Sequence, residues 1–172
     1  SILWADGFDD WSTTSGPLGE YESVSNFGIY LQSTAGRRSG GALTLGSNSD
    51  VIQKTFTSTY AELYAAVAFK PGGALSGLPC VVTFTSGGSQ LLSIRANADG
   101  SISAFRGGPF GTLLGTSAPA VVVGGVYTHY QVRVVFSATV GVVEVRLNGS
   151  TTAALSLTGQ NTGGASANGV LL

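Results

Sequence analysis

Along most of this chain, apolar and polar side chains alternate with a period of two. In residues 126–136 the apolar positions are Val126, Tyr130, Val132, Val134 and Phe136, with Thr128 the exception, and Tyr127, His129, Gln131 and Arg133 fall between them. Successive side chains of a strand point to opposite faces, so this pattern predicts a half-buried strand. The next run repeats it, with Val143, Val145 and Leu147 on one side and Glu144, Arg146 and Asn148 on the other. Pairing Val134 with Val143 and Val132 with Val145 keeps both apolar sets on one face. The same register sets Arg133 opposite Glu144 and Gln131 opposite Arg146. A slip of one residue breaks both patterns, so the hairpin is well specified.

Other segments read the same way. Leu92, Ile94 and Ala96 alternate with Ser93, Arg95 and Asn97, and Asn97-Ala98-Asp99-Gly100 turns the chain into Ile102-Ser103-Ala104-Phe105. Asp-Gly is a strong hairpin signal. Leu63, Ala65, Val67 and Phe69 form the buried face of a strand that ends at Pro71-Gly72-Gly73, and residues 41–45 and 51–56 are earlier strand candidates. No long segment has a 3.6-residue period, and glycines interrupt every helical candidate. Many short strands between Gly-, Pro- and Asn-containing turns predict an all-β fold, a two-sheet antiparallel β-sandwich. The 172 residues are expected to form one domain, residues 1–172.

Composition narrows the function classes. Charged residues are 10% of the chain, against about 25% in soluble proteins generally. The net charge of −1 supplies no electrostatic footprint for nucleic acid or an anionic membrane surface. It also offers weak protection against association, which points to an assembly. The longest apolar run, residues 63–69, is far below the roughly 18 residues of a membrane-spanning helix, so no membrane insertion is expected. Cys80 is the single cysteine and can form no internal disulfide. It reads as a buried small hydrophobe.

Asp6-Gly7-Phe8-Asp9-Asp10-Trp11 resembles the opening strand of concanavalin A-like, laminin G-like jelly rolls. Further along come Gly36-Arg37-Arg38-Ser39-Gly40-Gly41-Ala42-Leu43, Asp99-Gly100-Ser101-Ile102, Leu114-Gly115-Thr116-Ser117 and Tyr127-Thr128-His129-Tyr130. Gly141-Val142-Val143-Glu144-Val145-Arg146-Leu147-Asn148-Gly149 and Asn161-Thr162 follow. In this order they resemble the laminin G-like domains of virion proteins of tailed bacteriophages, over nearly the whole chain. The resemblance implies a concanavalin A-like jelly roll without enzymatic activity, used as a capsid decoration, tail or fibre component on the surface of an extracellular particle. The implied partners are other virion proteins or copies of the chain itself. The alternative it implies is a carbohydrate-binding adhesion module that contacts a cell-surface glycan. Tyr127 stands where such domains carry Trp. Val170-Leu171-Leu172 stands before the strand that normally closes their fold, which implies an unpaired apolar edge, filled by further chain or by a neighbouring subunit.

Glycosidases on this fold resemble one another in spacing two or three acids along one strand, because glycoside hydrolysis needs a carboxylate pair about 5–5.5 Å or about 6.5–9.5 Å apart. Around Glu144 the neighbours on the same face of its strand are Val142 and Arg146, and Glu62, Glu20 and Glu22 stand apart from it. His129, the single histidine, has no nucleophile motif with which to complete a triad. Asp6, Asp9 and Asp10 cluster at one strand end, with Asp50 the only other candidate in the N-terminal third, which is not the converging set that calcium requires. No metal and no cofactor is expected. Asn148-Gly149-Ser150 matches a glycosylation sequon, but Asn-Gly is also a hairpin turn and is read as one. What remains is a polar face with one aromatic, Tyr127, His129, Gln131, Arg146 and Asn148, as a candidate glycan or subunit contact. Arg133 and Glu144 form a cross-strand pair beside it.

Overall fold

The computed structural model describes residues 51–75 and 79–172, and before them the strands β1 (Ser23–Val24), β2 (Tyr30–Gln32) and β3 (Ala42–Thr44). Asp6, Asp9, Asp10, Glu20, Glu22 and Asp50 lie outside the described residues, as do residues 36–41 and the opening motif. The chain divides into two compact units, Ser1–Lys54 and Thr55–Leu172. In the first, β2 and β3 pair antiparallel, with Leu31 opposite Leu43. There β1 also pairs with Ile52 and Gln53, the first residues of β4 (Ile52–Tyr60).

The second unit is a sandwich of two antiparallel sheets, with no α-helix among the described residues. One sheet has the order β4, β13 (Ala167–Leu171), β6 (Cys80–Ser86), β7 (Ser89–Ala96), β8 (Ile102–Arg106) and β9 (Thr112–Thr116). The other has the order β12 (Leu155–Gln160), β11 (Gly141–Leu147), β10 (Thr128–Val135) and β5 (Glu62–Phe69). This is the expected fold class. A single residue, Ala61, separates β4 from β5, so the chain passes from one sheet to the other in one step. Its carbonyl accepts the backbone N–H of Phe136 at 2.8 Å.

The alternation seen in the sequence becomes the core. Val82, Phe84, Leu92, Ile94 and Ala104 from the larger sheet join Leu63, Tyr130, Val132, Val134, Val143 and Val145 from the smaller one in a single buried cluster. Phe84 and Phe136 meet edge to face, with ring centroids 5.7 Å apart. Each fully buried Val, Leu or Phe contributes about 1.5–3 kcal/mol relative to exposure. The β10–β11 register is the predicted one: Val134 faces Val143, Arg133 faces Glu144, Val132 faces Val145 and Gln131 faces Arg146. At the other rim, a Cβ on Gly115 would lie 2.6 Å from Leu157 Cδ2. The missing side chain therefore lets β9 and β12 approach.

Two expectations change. Val126 was expected on the buried face of the 126–136 strand, but it is more than half exposed. The ladder begins only at Thr128, opposite Phe69, because β5 runs out at Lys70-Pro71 and proline has no N–H to donate. Thr128, the apparent exception, is the buried residue there. The second change concerns Val170 and Leu171, expected at an unpaired edge. They pair with Phe84 and Thr83 of β6, and β13 lies between β4 and β6 in the sheet order. Their apolar character is that of an interior strand.

The Asn97–Ser101 turn explains one glycine. Gly100 has φ +78°, and a Cβ there would lie 2.5 Å from the Val122 carbonyl oxygen. The backbone N–H of Val122 donates to the Gly100 carbonyl at 2.9 Å, so this turn pins the long loop after β9.

Tyr130 is fully buried, and its hydroxyl has no hydrogen-bond partner. Burial pushes its phenol from 10.0 up to about 12. An unsatisfied buried hydroxyl costs about 1–3 kcal/mol, so Tyr130→Phe should raise stability by about 1 kcal/mol in urea unfolding at neutral pH. The pH dependence gives a second check. The unfolded phenol ionises near 10 and the folded one near 12, so this group's contribution is complete below the lower value and lost as pH rises through the window. Tyr130→Phe should flatten that alkaline decline. A loss of stability at neutral pH would show that the hydroxyl is satisfied.

Candidate functional site

The outward residues of the smaller sheet are laid out by its registers. Tyr64 of β5, Arg133 of β10, Glu144 of β11 and Ser156 of β12 form one row across the four strands. Ala66, Gln131 and Arg146 form the next, and Ala68 and His129 the one beyond. Alanines at two successive outward positions of β5 leave the surface beside Gln131 low, while Tyr64 stands up from it, 71% exposed. The result is an open depression of about 500 Å³ lined by Tyr64, Gln131, Arg133, Glu144, Arg146 and the turn residues 149–151.

A chain of opposite charges crosses this face. Arg133 Nε donates to Glu62 Oε1 at 2.6 Å, and its Nη1 lies 3.8 Å from Glu144 Oε2. Arg146 Nε donates to Glu144 Oε1 at 2.9 Å. The guanidinium of Arg133 holds the Glu62 carboxyl below its usual range, and Glu62 in turn raises the pKa of Arg133. Arg133 also lies 6.0 Å from the Tyr64 ring centroid, at the outer limit of a cation–π contact. Arg133 thus bonds Glu62, lies within ion-pair distance of Glu144 and stands beside the exposed aromatic.

Of the five residues expected on a contact face, Gln131 and Arg146 line the depression. Asn148 is spent on the backbone: its Oδ1 accepts the His129 N–H at 3.0 Å, and its own N–H donates to the His129 carbonyl at 2.8 Å. Asn148 and Gly149 have φ +53° and +76°, the left-handed pair that a tight hairpin turn requires. Tyr127 lies ahead of β10, with Lys70 Nζ 5.6 Å from its ring centroid. The Arg133–Glu144 register holds, but Glu62 is the nearer partner of Arg133.

Two site residues escaped the sequence reading. Glu62 stood apart from Glu144 in the sequence, yet both lie on this outer face and both contact Arg133. Tyr64 falls within the apolar run of residues 63–69. The alternation of Leu63, Ala65, Val67 and Phe69 already turns Glu62, Tyr64, Ala66 and Ala68 outward. Their place beside Arg133 depends on β5 pairing with β10, and no local signal announces a pairing so distant in sequence.

The larger sheet carries a different polar surface, tied up internally. Thr83 and Ser93 hydroxyls lie 2.9 Å apart, and Ser93 Oγ donates to the Gly107 carbonyl at 2.8 Å. Arg95 donates to the Pro109 carbonyl at 2.8 Å and stacks 4.3 Å from the Phe105 ring centroid. Cys80 is a free thiol among Thr83, Val82 and Ile94, and burial pushes its pKa up. Burial outweighs the lowering by Thr83, Val82 and the nearby Arg95, so the thiol is not activated as a nucleophile. Among the described residues, no group of three or more His, Cys, Asp or Glu side chains could hold a metal ion.

No protein-family model and no curated protein sequence matches the chain. Solved structures do. The carbohydrate recognition domain of Emp46p, in its metal-free form, superposes with a TM-score of 0.55 at 7% identity, over 99% of this chain and 90% of that one. SCLam, a non-specific endo-β-1,3(4)-glucanase of glycoside hydrolase family 16, gives a TM-score of 0.49 at 13% identity, over 100% of this chain and 79% of its own. With the two antiparallel sheets described above, the likeness to the recognition domain identifies the fold as a concanavalin A-like jelly roll.

Proposed function

We propose that this chain is a non-enzymatic carbohydrate-binding module whose ligand lies on the outer face of β5, β10 and β11. The observation that carries this reading is Tyr64, 71% exposed beside Arg133 and in one depression with Gln131, Glu144 and Arg146. A sugar ring offers an apolar face of C–H groups and an edge of hydroxyls. An exposed tyrosine flanked by guanidinium, carboxylate and amide groups can meet both at once. The similarity in fold to a carbohydrate recognition domain supports the reading without locating the site.

Both carboxylates of this face are paired with arginine, Glu62 with Arg133 and Glu144 with Arg146, which supports binding over hydrolysis. A glycosidase needs one carboxylic acid that stays protonated, with its pKa raised. Glu62 is shifted the opposite way by its bond to Arg133. The setting we propose is the surface of an extracellular particle, as a decoration, tail or fibre component of a virion. Its support is the resemblance of the ordered sequence motifs to virion laminin G-like domains, together with a net charge of −1 that does little to oppose packing of copies.

Tyr64→Ala should weaken binding to a responsive glycan by about tenfold, equivalent to about 1.4 kcal/mol, with the circular dichroism spectrum unchanged. Wild-type affinity in the variant would remove this face as the site.

Acid titration tests the ion chain. The pKa of Glu62 is lowered from 4.5 in the folded protein. Its contribution to stability is therefore present above 4.5 and lost as pH falls through the folded value. Thermal unfolding followed from about pH 6 to about pH 3 should show a shallower decline for Glu62→Gln than for wild type. Parallel declines would mean that the Arg133 contact is absent in solution.

A further inference from the structure

Resting on the glycan-binding reading, we infer that the ligand class is a neutral polysaccharide with adjacent hydroxyls, bound along its chain across Tyr64. The argument begins with charge. Among the described residues the face holds two cations, Arg133 and Arg146, and two anions, Glu62 and Glu144, and each cation already contacts a carboxylate. An incoming carboxylate or sulfate meets no unpaired guanidinium. An anion that takes the remaining N–H donors of Arg133 must sit beside Glu62 and Glu144, and both carboxylates repel it. A neutral ligand avoids that contest.

Hydrogen-bonding chemistry points the same way. A guanidinium only donates, an ionised carboxylate only accepts, and a hydroxyl does both. Each guanidinium has five N–H donors, and the bonds to Glu62 and Glu144 use only part of them. Glu144 sits between Arg133 and Arg146, so donor and acceptor groups alternate across the face. Two neighbouring sugar hydroxyls, one accepting from arginine and one donating to glutamate, match that alternation without breaking an ion pair. Gln131, exposed between Ala66 and Arg146 in register, adds an amide with both capacities.

Shape sets the mode of binding. The depression is open, its rim formed by Tyr64 on one side and turn residues 149–151 on the other, and Ala66 and Ala68 add no wall along β5. None of the described residues that line it encloses a chain end. A polymer can pass over the site with one ring on Tyr64 and its neighbours extending both ways.

The test is isothermal titration of the intact chain with two sets of soluble polysaccharides. One set is neutral (β-glucan, mannan, xylan) and the other acidic (alginate, polygalacturonate, chondroitin sulfate). We expect at least one neutral polymer to bind about tenfold or more tighter than any acidic one. Its affinity should change less than about twofold between about 50 and about 500 mM NaCl, since no net charge is neutralised. The double variant Glu62→Gln, Glu144→Gln, which leaves two arginines unbalanced, should gain affinity for the acidic set and become salt-sensitive. Preference of the wild type for acidic polymers, with affinity falling in salt, would overturn the ligand class while leaving the glycan-binding reading intact. Binding of neither set would overturn both. Neutral binding that survives Tyr64→Ala would overturn the placement on this face.

Discussion

The register of β10 is the constraint on which the smaller sheet depends. This strand is paired on both sides, with β11 over six residue pairs and with β5 over eight. Its inward residues Tyr130, Val132 and Val134 are fully or almost fully buried, while Gln131 and Arg133 face out. A shift of one residue would turn Arg133 into the core and Val132 into water. Leaving a guanidinium unpaired in the interior costs several kcal/mol, on top of the burial lost from the valines. The same alternation that builds the core therefore lays out the polar face, and neither can be changed without the other.

How much of this was legible depended on the distance over which each pairing acts. The β10–β11 hairpin could be read in full, because its apolar and charged patterns agree on one register and only a short turn separates the strands. The Asn97–Ser101 turn and the inward face of β5 were equally local. Pairing of β5 with β10 was not, since a strand with small outward residues such as Ala66 and Ala68 carries no complementary charge pattern to name its partner. That pairing brings Glu62 and Tyr64 to Arg133, so these two went unseen while Gln131, Arg133, Glu144 and Arg146 were found. Val126 misled for a related reason. Its periodicity continues the strand, but the ladder needs a partner, and β5 stops at the residues before Pro71.

The buried polar atoms show the same division between pattern and context. Ser93 occupies an outward position in β7, yet it is fully buried, with its hydroxyl satisfied by Thr83 and the Gly107 carbonyl. Alternation predicts which way a side chain points and says nothing of what folds over it. Tyr130 is the converse. It lies where the pattern puts an apolar residue and packs as one, and its hydroxyl is left without a partner.

A face of this kind also constrains how it can be used. Ion pairs across β5, β10 and β11 hold Arg133, Glu144 and Arg146 in place before any ligand arrives, which reduces the side-chain ordering that binding must supply. If the face binds a polysaccharide as proposed, an open depression around Tyr64 would contact only a few rings of it, and that contact area would limit the affinity of a single copy. Strong attachment from such a site requires many copies facing one repetitive ligand, where the effective concentration of the second contact multiplies the first. A surface with few charges and a net charge of −1 sets little repulsion against close packing of those copies. On the proposed function, weak single-site binding and packing of copies would be two halves of one arrangement. The physical unit of recognition would then be an array of these sheets presented together, with the individual domain contributing one weak contact to it.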